Sequence, residues 1–251
     1  AFAAYGFVKS HAVSYSYISY QCAWLFTYYP SEWLCAYAET MIGTPESRSQ
    51  MMSELKSLGY TIADVDINNS EHEWTISDDG KTFYPSFSTI KGVGKIAVNE
   101  IIANRPYVEP TDLFWDEKRD WKHRKFNKKA MSALIRTESF GSMGIVGPNS
   151  TFKNYAHMHK VIIDNANRLR SKTKKEPDRN LKAYQEMLQE DVPEWTIDER
   201  IKNKKELIGY FDVNILLNSE LLEKLSRHNL IDLSQFQKNG IYWFVVQDVS
   251  E

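Results

Sequence analysis

Cysteine is scarce in this chain: Cys22 and Cys35 are the only two in 251 residues. Two thiols within apolar stretches cannot staple a small secreted scaffold. A disulfide framework and a C-x-x-C metal or redox motif are thereby excluded, and both side chains are expected as buried free thiols of a reducing compartment, the cytoplasm. An excess of charge of one sign is missing too. With 31 Lys and Arg against 33 Asp and Glu, the formal net charge is −2, so any affinity for a polyanion must come from a local patch. No apolar run approaches the roughly 20 residues that span a bilayer, and the opening residues lack the basic-then-apolar order of a signal peptide. No membrane partner is expected. The first residues, AFAAYGF, carry no initiator Met and read as the interior of a longer polypeptide. No Ser-His-Asp order and no phosphate-binding Walker loop is present, so no catalytic residue is assigned. His157-x-His159 would send its imidazoles to different faces of a helix, which argues against a metal site. Asp64 and Asp66, beside INNS, read as turn and cap residues.

What remains is mainly α. Val13, Tyr17, Trp24 and Tyr28 recur at helical spacing over Ser10 to Tyr28, with Ser10 as the expected N-cap and Pro30 as the stop. A second helix is predicted from Trp33 to about Met41. Thr44 caps a third, which carries Met51, Met52, Leu55 and Leu58 and ends at Gly59. These helices are expected to form one compact block. EWTIS and TFYPSF, joined by Asp78-Asp79-Gly80, predict a small β-hairpin that must pack on the helices to be stable. Short helices and tight turns follow to Met143, then one or two polar helices over Phe152 to Gln189, a helix over Leu207 to Leu225, and a terminal strand in GIYWFVVQDVSE. Domain boundaries are expected at 1–87, 88–145, 146–240 and 241–251.

The most specific local pattern is STIKGVGKIAVNEIIANR, Ser88 to Arg105. Gly92 and Gly94 bracket Val93 in a tight loop before an amphipathic helix. Residues without Cβ allow close backbone approach, and the unbonded N–H groups at the helix start suit a phosphate. Lys91 and Lys95 add charge. The pattern is that of a helix-hairpin-helix element, which holds duplex DNA by its backbone; the alternative is an ordinary glycine turn before a helix. KFNKKAMSALIRTESF is a candidate second copy, with Asn127 capping a helix that carries Met131, Leu134 and Ile135. Lys125, Lys128 and Lys129, with Lys122, Arg119 and Arg124, would supply counter-charge to a clamped duplex, although each alone reads as a solvated side chain. At the other end of the chain, Lys9, Ser10 and His11 stand before an aromatic helix. Their ammonium, amides and imidazole can converge on one anion; the alternative is a plain helix cap.

YGFVKSHAVSYSYISYQCAWLFTYYPSEW, Tyr5 to Trp33, resembles the fingers motif of the bacterial C-family replicative DNA polymerases, whose catalytic chain is the alpha subunit of DNA polymerase III. DINNSE, IKGVG, NKKAMSALIRTESF and ERIKNKKELIGYF are similar to further stretches of that family. The resemblance covers Tyr5 to Phe140 closely and thins beyond Phe152. Val8 departs from the family's Asn, and Phe26-Thr27 stands where Lys is common. The resemblance implies that 1–87 is the end of the fingers, 88–145 a tandem helix-hairpin-helix domain, 146–240 a helical connection, and 241–251 the start of an OB-like domain. It implies primer-template duplex DNA as a partner, a deoxynucleoside triphosphate at Lys9, Ser10 and His11, and a sliding clamp, whose motif neither QEMLQ nor LIDLSQF matches. The family's catalytic aspartates, with their Mg²⁺, belong to a palm domain preceding this segment, so no cofactor is expected in this chain. A freestanding DNA-binding adaptor and a replisome scaffold are the alternatives.

Overall fold

The computed structural model describes residues 8–173, 176–209, 223–225, 227–228, 231–232 and 242–243. Helix α1 spans Lys9–Tyr28, and its cap falls two residues earlier than expected. Val8 is its N-cap, no side-chain cap bond forms, and Ser10 lies inside the first turn rather than at the cap. None of its residues is buried. Tyr15, Tyr17, Ile18, Tyr20, Trp24 and Tyr28 are all exposed, because aromatic residues at these positions point all round the cylinder and leave no single apolar face.

The expected three-helix block therefore reduces to two helices. α2 (Pro30–Thr40) starts at Pro30 itself, since a proline at the first helical position gives up an N–H that has no partner there anyway. α3 (Pro45–Ser57) is capped by Thr44, whose Oγ1 accepts the Ser47 N–H at 3.2 Å. It stops where Gly59 takes φ +88°. Both helices pack on a three-stranded sheet of order β1-β3-β2. β2 (Thr75–Ile76) and β3 (Thr82–Tyr84) form the expected antiparallel hairpin, and β1 (Thr61–Ile62), missed from the sequence, pairs parallel to β3. Leu34, Ala38, Met51, Leu55, Trp74 and Phe83 are the core of this unit. Cys22 and Cys35 are free thiols, as expected, but only half-buried. Burial, with Glu32 and Glu39 nearby, pushes the Cys35 thiol up to about 11.

A larger core runs from Val65 to Leu207. It is built by α4 (Lys95–Ala103), α5 (Lys128–Arg136), α6 (Tyr155–His159), α7 (Ala166–Arg170), α8 (Arg179–Leu188) and α9 (Ile197–Leu207). One continuous apolar cluster thus crosses the expected boundaries at 87 and 145. The stretch expected as one or two polar helices is three, and it supplies core: Phe152, Met158, Val161, Ile162, Ile163 and Leu169 are buried. Three successive buried residues do not fit one face of an α-helix, and here Lys160–Asp164 is wound as a π-helix. That local unwinding hides the periodicity from a 3.6-residue reading.

Leu207 ends a helix rather than beginning one, with Gly209 at φ +75° just beyond it. Most of the helix expected over 207–225 lies outside the described residues. Of the expected terminal strand, β5 (Tyr242–Trp243) is described, paired in parallel with β4 (Ile231–Asp232). Among the described residues no helix is long and apolar enough to cross a membrane. The two cores are tied by Arg48 of α3, whose guanidinium donates to the Ile42 carbonyl at 2.6 Å and to the Ile208 carbonyl.

Candidate nucleic-acid interface

The first hairpin is anchored from below. Ile90 and Val93 are buried in the larger core, and the Lys91 N–H donates to the Leu207 carbonyl at the end of α9, 2.7 Å away. The two glycines then do different work. Gly92 has φ +98°, a conformation L side chains rarely adopt. Gly94 has φ −86° and is the N-cap of α4, so its backbone would suit other residues, and a Cβ there would meet nothing within 4 Å. The expectation that both glycines serve the same purpose is corrected accordingly: Gly92 makes the turn, and Gly94 leaves the surface above it open. Among the described residues, the amides of Gly92, Gly94, Lys95 and Ile96 have no hydrogen-bond partner, and all four residues are exposed. They form a cluster of donors at a helix start, flanked by the exposed Lys91 and Lys95.

The second element forms where it is expected. Asn127 is the N-cap of α5, its Oδ1 accepting the Ala130 N–H at 3.0 Å, while Met131, Leu134 and Ile135 are buried. Its hairpin amides are not open, however. The Glu100 carboxylate, projecting from α4, accepts the N–H groups of Arg124 (3.0 Å), Lys125 (2.6 Å) and Phe126. Burial alone would raise the Glu100 pKa, but the Arg124, Phe126 and Lys125 donors outweigh it and hold the carboxyl below its usual range. Glu100 was missed from the sequence; the available signal was an acidic residue on the helix between two lysine-rich turns. The two elements touch at Lys129, whose Cε lies 3.4 Å from where a Cβ on Gly92 would stand.

Lys125, Lys128, Lys129 and Arg124 are exposed. Two other basic residues are committed to the fold. Arg119 pairs with Asp178, and the Lys122 ammonium sits 5.4 Å from the Tyr107 ring centre. Lys9, Ser10 and His11 occupy the first turn of α1, outside both buried clusters, with the His11 ring centroid 4.3 Å from that of Tyr15.

No group of three or more His, Cys, Asp or Glu among the described residues is placed to hold a metal ion. Asp66 is a turn residue, its Oδ1 accepting the Asn68 and Asn69 amides and its Oδ2 the Ser142 amide. His157 is fully buried: Nδ1 accepts the Lys153 N–H at 3.2 Å, and Nε2 donates to the Met187 carbonyl at 3.0 Å. A Ser-His-Asp grouping absent from the sequence order does assemble in space. Ser132 Oγ lies 2.9 Å from His159 Nε2, and His159 Nδ1 3.6 Å from Asp164. Ser132 is mid-helix, where neighbouring amides are spent on helical bonds, so no oxyanion donors accompany it.

Two buried-hydrophobe-anchored turns, each opening a helix, thus meet at Lys129. A helix-hairpin-helix motif family matches residues 59–146. Beyond that element, the chain matches a fragment of the DNA polymerase III alpha subunit. It is 32% identical over 165 residues to that subunit from Pseudomonas aeruginosa, covering 66% of this chain and 14% of the relative. Against the subunit from Neisseria meningitidis serogroup B the identity is 29% over 218 residues, 84% of this chain and 18% of the relative. Against that of Staphylococcus aureus it is 36% over 143 residues, 57% of this chain and 13% of the relative. The chain thus spans less than a fifth of the length of these relatives.

Proposed function

We propose that this chain is the part of a replicative DNA polymerase that holds the newly made duplex by its backbone, without reading bases, and that presents the incoming nucleotide with the start of α1. The observation that carries the duplex reading is the cluster of unpartnered amides at Gly92, Gly94, Lys95 and Ile96, raised on a hairpin whose other side is buried. Neutral donors fixed by a core suit a phosphate oxygen because nothing must reorganise when it arrives. Lys91, Lys95, Lys125, Lys128 and Lys129 supply the charge.

In the assembled enzyme, Lys9 and the first-turn amides of α1 meet the triphosphate of a deoxynucleoside triphosphate, with His11 beside them. Mg²⁺ would be held by acidic residues of the parent outside this chain and would supply the charge neutralisation for nucleotidyl transfer. A sliding clamp is a partner of that parent enzyme, and the cytoplasm is its compartment.

The test is fluorescence anisotropy of a short labelled duplex titrated with the chain across a salt series. Five lysines bound the slope of log affinity against log salt at about −4.5, at about 0.9 per phosphate neutralised. Shuffling the base sequence should change affinity only a few-fold. Binding insensitive to salt, or strongly dependent on base sequence, would remove the duplex reading.

A further inference from the structure

The two hairpins look like a symmetric pair in sequence, each a turn before a helix with lysines around it. Their backbones are used differently. The first leaves its donors open, whereas in the second three consecutive N–H groups already converge on the Glu100 carboxylate. A carboxylate and a phosphate both present a pair of anionic acceptor oxygens that can fill such a nest of amides, and the nest cannot hold two anions at once. Glu100 has a second constraint: its helix, α4, is the one whose first turn carries the open amides of the first hairpin. Meanwhile the Lys129 side chain of α5 reaches across to the first hairpin, where its Cε stands 3.4 Å from the place a Cβ on Gly92 would take.

We propose that Glu100 takes, from inside the fold, the place a DNA phosphate would occupy at the second hairpin, so that the tandem element has one amide-lined phosphate site, at the first hairpin, which Lys129 completes from the second. This inference rests on the duplex-binding reading above and specifies its contacts. Lys129 is then a ligand of the same phosphate as Gly92 and Gly94. Lys128 contacts a different phosphate or none. Glu100 is a positioning residue: it shapes the second turn so that Lys129 is delivered to the first.

A double-mutant cycle separates shared from independent contacts. Duplex affinity and its salt slope are measured for the chain, for Gly94→Val, for Lys129→Ala and for the two combined, with Lys128→Ala as the comparison. Gly94→Val is chosen because its backbone angles tolerate a side chain. Lys129→Ala alone should weaken binding roughly tenfold and lower the slope by about 0.9. In the Gly94→Val background the same change should cost less than threefold, while Lys128→Ala should have the same effect in both backgrounds. Full additivity of Gly94→Val and Lys129→Ala would overturn the shared site. A second arm uses Glu100→Ala, which removes the carboxylate and empties the nest, with the urea midpoint checking that the variant folds. Freeing the nest should steepen the salt slope and tighten binding at low salt, whereas a purely structural Glu100 would give weaker binding with the slope unchanged, and that result would overturn its role as an internal phosphate substitute. Failure of the unmutated chain to bind duplex at all would instead sink the underlying reading, and the inference with it.

Discussion

Glu138 and Arg200 form a two-pronged ion pair across the junction of α5 and α9, with Nε to Oε1 at 2.5 Å and a guanidinium nitrogen to Oε2 at 2.9 Å. Lys204 approaches the same carboxylate at 3.5 Å, and Glu138 itself has φ +64°. The pair holds the end of the second element against the helix that also supports the first.

Removing Glu138 leaves the half-buried Arg200 and the buried Lys204 without their shared carboxylate. Glu138→Ala should destabilise the chain by about 1–3 kcal/mol, read as a shift in urea midpoint. Burial would raise the Glu138 pKa, but the Arg200 hydrogen bond and the Lys204 charge outweigh it and hold the carboxyl below its usual range. A carboxylate depressed in the folded state contributes stability above the unfolded pKa of about 4.3 and loses it as pH falls through the folded value. The stability gap between the unmutated chain and Glu138→Gln should therefore be full at pH 7 and shrink below pH 4. A gap unchanged at pH 3 would show that the carboxylate charge is not what holds the junction.

The two hairpin glycines should respond oppositely to alanine. Gly92→Ala forces a Cβ into a positive φ and towards Lys129, and should cost about 1–2 kcal/mol of folding stability. Gly94→Ala should leave the urea midpoint nearly unchanged and weaken duplex binding. Equal stability losses at the two sites would contradict the division of labour described above.

Ser10 makes no cap bond, so Ser10→Ala should change stability by no more than about 0.5 kcal/mol. In the intact polymerase, Lys9→Ala should lower kcat/KM for the incoming nucleotide roughly ten- to a hundredfold with primer-template affinity preserved, the range expected for losing one charge-assisted contact. Single-nucleotide incorporation kinetics decide it. Wild-type nucleotide dependence in Lys9→Ala would remove α1 from the nucleotide site.

His123 is buried between Tyr107 and Phe126, and neither ring nitrogen has a hydrogen-bond partner. Burial pushes its pKa down to about 4. Between about pH 6.5 and 4 the unfolded chain takes up a proton that the folded chain refuses, so stability falls with pH across that window and is unaffected by this group above it. His123→Phe should flatten that limb of the stability profile, measured by urea titrations at half-unit pH steps. An identical profile in the variant would assign the acid sensitivity to carboxylates alone.

Much of this architecture was legible because local chemistry decides it. Thr44 and Asn127 announce two helix starts through side-chain oxygens that accept backbone N–H groups, and each is found doing that. What escaped notice depends on partners distant in sequence. β1 is two residues long and exists only because β3 pairs with it. Glu100 becomes significant through amides some 24 residues on. The apolar content of 152–169 was disguised by the π turn, and the aromatic richness of α1 mimicked a core stripe that the helix does not possess.

The hydrogen bond from the Lys91 N–H to the Leu207 carbonyl spans more than a hundred residues of chain. It makes the last turn of α9 a fixed support for the loop that carries Gly92 and Gly94. The same end of that helix receives Arg48 from the smaller core at Ile208. A tilt of α9, such as a load on α3 would produce, would be delivered directly to the loop that carries the open hairpin amides. The set of the hairpin amides and the posture of the smaller core are, through one helix terminus, a single adjustable quantity.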